Sequence, residues 1–131
     1  MTVVIDSSVA FAALVPDDDN AEWSRGILES NHLVAPELLV VELSHLLRRG
    51  VRRGSLAEPD ARAALIDFLD VMDDFVEHAP FAPRMWELQS NVTSYDAAYV
   101  ALAEALGAPL ATLDHKLRRA SGPRCDFLSP R

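Results

Sequence analysis

Short runs of apolar residues alternate along the chain with longer segments whose apolar positions recur every three or four residues. The first run, TVVID, is rich in β-branched residues, as is typical of a buried strand. Similar short runs follow, separated by segments with the spacing of amphipathic helices. Strands are therefore predicted at 2–6, 32–35, 75–79, 108–112 and within 125–130.

Proline and glycine set the expected ends of the longest apolar helix, PELLVVELSHLLRRG. Pro36 is expected in its first turn, and Gly50 is expected to close it. Strands that alternate with helices favour parallel pairing through right-handed crossovers. The predicted fold is thus α/β, a single three-layer domain over 1–131. Its central parallel sheet has four or five strands, with helices on both faces.

Composition indicates a globular protein that works inside the cell. Half of the residues are hydrophobic and 24% are charged, with no sign of disorder. No apolar run approaches the roughly 20 residues of a membrane helix, and the N-terminus lacks the basic segment of a secretion signal. A lone cysteine fits a reducing compartment. We therefore expect a cytoplasmic location and no membrane attachment.

The net charge of −8 argues against non-specific electrostatic binding of nucleic acid. It does not exclude an enzyme that gathers carboxylates to hold cations, because a bound cation reverses the local field. Four acidic residues stand inside or just after apolar segments, at Asp6, Glu42, Asp96 and Asp114. Asp6 and Asp114 follow predicted strands, and the carboxyl ends of parallel strands are where α/β sheets form sites.

Each of these acids also has a structural explanation. Asp6 and Asp114 have the residue type preferred at helix N-caps, and Asp96 follows Thr93 at capping-box spacing. Glu42, on a largely apolar helix face, would pair with a buried arginine or reach solvent. If the four converge instead, their repulsion favours a divalent cation, and all-oxygen ligation selects Mg²⁺ or Mn²⁺ over zinc. Such sites are typical of phosphodiester cleavage.

Three segments give the chain a resemblance to PIN-domain proteins, and more narrowly to VapC-type toxins of bacterial type II toxin–antitoxin pairs. They are VVIDSSVAFAAL, ELLVVELSHLLRR and SYDAAYVALAEALGAPLATLDHKL, and the resemblance extends over essentially the whole chain. It implies a Mg²⁺- or Mn²⁺-dependent endoribonuclease that hydrolyses RNA phosphodiester bonds with a metal-activated water. It also implies a homodimer and a cognate VapB-like antitoxin that blocks the acidic site.

The resemblance assigns the catalytic and metal-binding roles to Asp6, Glu42, Asp96 and Asp114. Asp6 and Asp96 are implied as direct ligands of the metal. Asp114 would complete the metal site, and Glu42 would orient a water or bind a second ion.

Polar residues near these acids are candidates for substrate binding. Hydroxyls beside the acids fall where the family often has them, and cations near a helix end suit RNA phosphate as well as the helix dipole. The candidates are Ser7, Ser94, Thr112, Arg48, Arg49 and Lys116. The aromatic residues Trp23, Trp86, Tyr95 and Tyr99 are better explained by core or interface packing than by base stacking.

Two other functions compete with the nuclease. One is a PIN-fold binding protein without nuclease activity, against which the complete set of four acids argues. The other is a receiver-type signalling domain, which is also α/β and holds Mg²⁺ with acids at strand ends. That class requires adjacent acids after the first strand, and here Asp6 stands alone.

Overall fold

The computed structural model describes all 131 residues and contains one parallel sheet of five strands. The spatial order is β3-β2-β1-β4-β5, and every neighbouring pair is parallel. The predicted central parallel sheet is therefore confirmed. Its strands are β1 (Thr2–Ile5), β2 (His32–Pro36), β3 (Asp74–Val76), β4 (Leu110–Ala111) and β5 (Phe127–Leu128).

Seven helices flank the sheet. α1 packs against α2 and α3, α5 packs against α6, and α6 lies against β1 and β2. None of them is both long and apolar enough to cross a bilayer. The helices are α1 (Ser7–Leu14), α2 (Ala21–Ser30), α3 (Leu38–Arg52), α4 (Glu58–Val71), α5 (Ala82–Glu87), α6 (Ser94–Leu106) and α7 (His115–Arg119), with a short 3-10 helix at Ala79–Phe81.

The core lies between β1 and α6. Val3, Val4 and Ile5 are fully buried, because a central parallel strand is covered on both faces and needs apolar residues at consecutive positions. Every residue over 97–103 of α6 is at most 2% exposed. Four of these seven are alanines, whose small side chains let the helix pack closely against its neighbours. A helix this deeply buried holds its N-terminal residues firmly against the sheet.

Two boundaries of α3 differ from the sequence prediction. Pro36 ends β2 rather than opening the helix, and the N–H of Glu37 donates to the Val76 carbonyl oxygen at 3.0 Å. Proline has no N–H to donate to a neighbouring strand, and at the last position of β2 none is required. Gly50 lies within the helix and does not close it. A Cβ there would stand 2.7 Å from Leu56 Cδ1, so the glycine lets the following chain pack back on α3.

Two glycines with opposite structural roles provide a test of this fold. Gly107 ends α6 in the left-handed conformation at φ 62°, whereas a Cβ on Gly26 in α2 would contact nothing within 4 Å. We expect Gly107→Ala to lower the free energy of unfolding by about 1 kcal/mol. Gly26→Ala should raise it by about 0.5–1 kcal/mol because alanine favours a helix. Urea titration followed by circular dichroism measures both, and shifts of the same sign would contradict the assignment.

Candidate active site

The order of the sheet creates a switch point between β1 and β4. From β1 the chain runs outward through β2 and β3, then returns to β4 on the other side of β1. In open parallel sheets, ligands bind outside the carboxyl ends of the strands at such a point. Asp6 directly follows β1, and Thr112 directly follows β4.

Asp6 is buried at this point, with both carboxylate oxygens hydrogen-bonded. Oδ1 caps α1, accepting from the N–H groups of Ser8 and Val9 at 3.1 and 3.2 Å and from the Ser8 hydroxyl at 2.5 Å. Oδ2 accepts from the Thr112 hydroxyl. Burial raises the pKa of Asp6 to about 6 despite these bonds, and repulsion from Asp96 adds to the rise. The N-cap explanation is correct, but it accounts for only one of the two oxygens.

Two hydroxyls join the turn after β1 to the turn after β4. Ser8 Oγ accepts from the N–H of Leu113 at 3.1 Å, and the Thr112 hydroxyl donates to Asp6. Thr112 Oγ1 also accepts from the N–H of Asp114 at 3.0 Å within the turn after β4. Thr112 is fully buried, so its hydroxyl faces Asp6 and not solvent. Any effect of Thr112 on a substrate therefore passes through the position of Asp6.

Asp114 is an N-cap as well, but an exposed one. Its Oδ1 accepts from the N–H groups of Lys116 and Leu117 at 2.8 and 3.2 Å and begins α7. The structural explanation proposed for Asp114 is thus correct, and its other oxygen is left for a further partner.

Asp96 is an electrostatic neighbour of all three other acids. Thr93 caps α6 by accepting from the Asp96 N–H at 3.1 Å, and the reciprocal bond of a capping box is absent. Thr93 therefore provides the cap, and the Asp96 carboxylate does not complete a capping box. Burial, and then repulsion from Asp114, raise the pKa of Asp96. Asp96 in turn contributes to the raised pKa values of Asp6 and Glu42.

Glu42 is held by a residue that the sequence analysis assigned to packing. Tyr99 is 1% exposed, and its hydroxyl donates to Glu42 Oε1 at 2.5 Å. Burial raises the pKa of both side chains, so the tyrosine stays protonated as a donor. Neither a buried arginine nor full exposure accounts for Glu42. The sequence contained a signal for this role of Tyr99. A buried tyrosine hydroxyl needs a hydrogen-bond partner, and Tyr99 follows Asp96 by one helical turn, on the same face of α6.

Two clefts border these acids. Ser7 and Glu42 line one of about 420 Å³. Asp96, Asp114 and Lys116 line another of about 540 Å³. Two of the predicted substrate-binding residues, Ser7 and Lys116, therefore adjoin the acidic group.

Apart from the buried Thr112, which contacts Asp6, the other predicted substrate-binding residues lie further out or are exposed. Ser94 is the exposed first residue of α6. Arg48 and Arg49 are exposed on α3, and the helical rise puts them about 10 Å along the axis from Glu42.

No basic side chain forms a salt bridge with any of the four acids. No three of the His, Cys, Asp and Glu side chains stand close enough to hold a metal ion by themselves. The donors are all oxygens, and Mg²⁺ commonly binds through one or two carboxylates while keeping several waters. Asp6 and Asp96, which are coupled electrostatically, supply oxygen donors of that kind, and Asp96 adjoins a cleft with room for water.

The sheet order also separates this fold from receiver domains. Receiver domains have the flavodoxin-like order 2-1-3-4-5, whereas the order here is 3-2-1-4-5. The receiver alternative is therefore wrong.

Comparisons with known proteins agree on one family. Residues 3–123 match the PIN domain family. The chain is 40% identical over 125 residues to "Ribonuclease VapC1" of Mycobacterium tuberculosis, covering 95% of this chain and 94% of that protein. It is 34% identical over 123 residues to "Ribonuclease VapC9" of the same organism, covering 94% of each.

Solved structures share the fold at lower sequence identity. PAE2754 from Pyrobaculum aerophilum superposes with a TM-score of 0.75 at 22% identity, over 97% of this chain and 83% of that one. VapBC2 from Rickettsia felis, bound to a DNA fragment from its promoter, gives a TM-score of 0.73 at 14% identity over the full length of both chains.

Asp6→Asn tests the electrostatic cost of the buried carboxylate. The folded-state pKa is about 6 against 3.8 for the free side chain, so the fold favours the protonated form. Stability from this group is present below pH 4 and is lost as the pH rises through 6. Without divalent cations, we expect the variant to be more stable than the wild type by about 2–3 kcal/mol at pH 8. The difference should shrink towards zero at pH 4.

Urea unfolding in EDTA at pH 4, 6 and 8 measures this difference. Asp70→Asn is the control, since it removes an equal charge from the exposed face of α4. A difference between Asp6→Asn and the wild type that is the same at all three pH values would contradict the electrostatic explanation.

Proposed function

The chain belongs to the PIN-domain family, and from that premise we propose that it is the endoribonuclease toxin of a toxin–antitoxin pair. Relatives that it matches over nearly their whole length are named ribonucleases. The observation that carries the proposal is that Asp96, beside the sheet's switch point, is coupled electrostatically to the three other acids, and that no salt bridge neutralises any of the four. Such a group needs cations, and cations held there suit phosphodiester hydrolysis.

Mg²⁺ or Mn²⁺ would be held by Asp6 and Asp96, with Asp114 completing the site. Bound there, the cation would supply a water of lowered pKa and stabilise charge on the phosphate. Burial and then repulsion from Asp114 raise the pKa of Asp96, and a divalent cation held by these residues would offset both. The repulsion between carboxylates that is unfavourable in the cation-free protein would therefore contribute to the affinity of the site for the cation.

The chain's own side chains orient this chemistry. Hydrogen bonds from the first turn of α1 and from the Thr112 hydroxyl hold the Asp6 carboxylate in a single orientation. Asp96 is carried on the buried helix α6. Glu42 uses Oε1 for the Tyr99 hydroxyl and would use Oε2 to orient the attacking water or a second ion. Tyr99 is thus a positioning residue that acts through Glu42.

Contacts to the RNA backbone would come from cations at the edge of the site. Lys116 lines the cleft beside Asp96 and Asp114, and Arg48 and Arg49 are exposed further along α3. Ser7 and Ser94 would add hydroxyl donors to phosphate oxygens. With a net charge of −8 the whole protein repels RNA, so binding would depend on these few cations, and the bound metal would strengthen it.

The proposed partner is a cognate VapB-like antitoxin that blocks the acidic site. A fold shared with VapBC2 and a cleft lined by Asp96 and Asp114 that would accept a basic arm both support this partner. A homodimer of the chain and a cytoplasmic location belong to the same proposal.

A PIN-fold binding protein without nuclease activity is the second candidate. The observation that favours it is that no three carboxylates stand at metal-binding spacing. The two functions differ in expression experiments. A nuclease toxin arrests growth when it is expressed without its antitoxin, and Asp96→Asn relieves the arrest. For a binding protein without nuclease activity, Asp96→Asn does not change the growth of the expressing cells.

Cleavage of RNA by the purified protein is the direct test. We expect the wild-type chain to cut RNA in Mg²⁺, and Asp96→Asn to lower the rate about 100-fold or more, because several kcal/mol of charge stabilisation are lost. EDTA should abolish cleavage, and Mn²⁺ should restore it. Gel analysis of total RNA, with mapping of the new 5′ ends, measures the rate and the sites.

Asp70→Asn is the matched control, since it removes an equal charge from the exposed face of α4. Unfolding curves of both variants show whether either has lost its fold. Cleavage that continues undiminished in EDTA, or in folded Asp96→Asn, would refute the metal-dependent nuclease.

A further inference from the structure

A pocket of about 420 Å³ opens beside Glu42, between α3 and the start of α6. Ser7 and Glu42 belong to both the pocket and the acidic site, so the two are continuous. The rest of the wall contains no lysine or arginine and is mostly apolar. Its other residues are Leu38, Val41, His45, Leu46 and Tyr95.

Two large side chains of this wall are exposed. Tyr95 is 59% exposed and Val41 is 67% exposed. Tyr95 directly precedes Asp96, yet it lies outside the buried stretch of α6 that begins at Ala97. Tyr95 therefore does not pack in the core of this chain, and packing at an interface with a partner remains the untested part of that prediction. No packing within this chain explains the exposed aromatic ring next to Asp96, a candidate metal ligand.

We propose that this pocket binds one unpaired base of the RNA, stacked on Tyr95, next to the bond that is cut. The inference rests on the proposed nuclease function and adds a base-binding subsite to it. A base is the uncharged part of a nucleotide, so it can enter a wall that touches Glu42 without the repulsion that a phosphate meets there. Aromatic rings stack on any base, and His45 offers a ring nitrogen to a base edge.

The surface of α3 beyond the pocket favours a nucleic acid as the occupant. The face that carries His45 continues with Arg48, Arg49 and Arg52 at the spacing of one helical stripe, and all three arginines are exposed. Cations there suit the phosphates of adjoining nucleotides. An acidic peptide would match the arginines but would be repelled by the carboxylates at the other end. A single strand of RNA can place an uncharged base in the pocket beside the carboxylates and its phosphates beside the arginines.

Binding of short RNAs in EDTA tests the subsite without cleavage. Fluorescence anisotropy would compare single strands of adenine, uracil or cytosine nucleotides with an abasic ribose-phosphate strand, all about twelve nucleotides long. For the wild-type chain we expect at least one base-bearing strand to bind about fivefold or more tightly than the abasic strand.

Substitutions at Tyr95 identify the source of that advantage. Tyr95→Ala should bind base-bearing and abasic strands nearly equally, whereas Tyr95→Phe should keep the advantage because the ring remains. Trp86→Ala is the matched control, since Trp86 is 74% exposed on α5, away from the pocket. It should leave the advantage unchanged.

Failure of the subsite is separable from failure of the nuclease. A chain that cleaves RNA in Mg²⁺ but shows no Tyr95-dependent base advantage overturns the subsite and keeps the nuclease. A chain that shows the advantage but cleaves nothing overturns the nuclease and leaves an RNA-binding pocket. If the base advantage is absent and Tyr95→Ala instead weakens the complex with the co-encoded antitoxin, the occupant is a protein and the proposal is overturned.

Discussion

The buried carboxylate of Asp6 is the constraint on which the site depends. One oxygen begins α1 and the other accepts from Thr112, a residue 106 positions away in the chain. This bond joins the ends of β1 and β4, which are neighbours only because the sheet order reverses between them. The ion is expensive to bury, and its raised pKa records that cost. A fold that retains such a group is organised around holding a charge in one position.

Asp96 links the buried Asp6 electrostatically to the two other acids of the site. It contributes to the raised pKa values of Asp6 and Glu42 and feels the charge of Asp114. No arginine or lysine neutralises the group, although twelve such residues are present in the chain. The cationic stripe of α3, formed by Arg48, Arg49 and Arg52, lies further along the helix and forms no salt bridge with Glu42. A surface divided into an anionic centre, an apolar pocket and a cationic stripe matches the metal, base and phosphate of the proposed substrate complex.

Helix caps show how local and long-range roles combine in one residue. Asp6 and Asp114 were expected either to cap helices or to form a site, and both do cap helices with one oxygen. Asp96 was expected to share a capping box, but Thr93 alone provides the cap. Capping can be read from residue type and spacing, because it involves only the next turn of the chain. Helices and strands that are distant in sequence determine the surroundings of the carboxylate oxygens that do not cap a helix.

The alternation of apolar runs and helical spacing was enough to determine the parallel α/β fold, because burial requires a period that the residues themselves display. It also singled out the four acids, since carboxylates are out of place in apolar segments. Only the tertiary structure decided that the Tyr99 hydroxyl holds Glu42, that Thr112 faces inward and that Tyr95 faces outward. Tyr99 and Glu42 lie 57 residues apart, and such contacts depend on how helices pack, which periodicity does not encode.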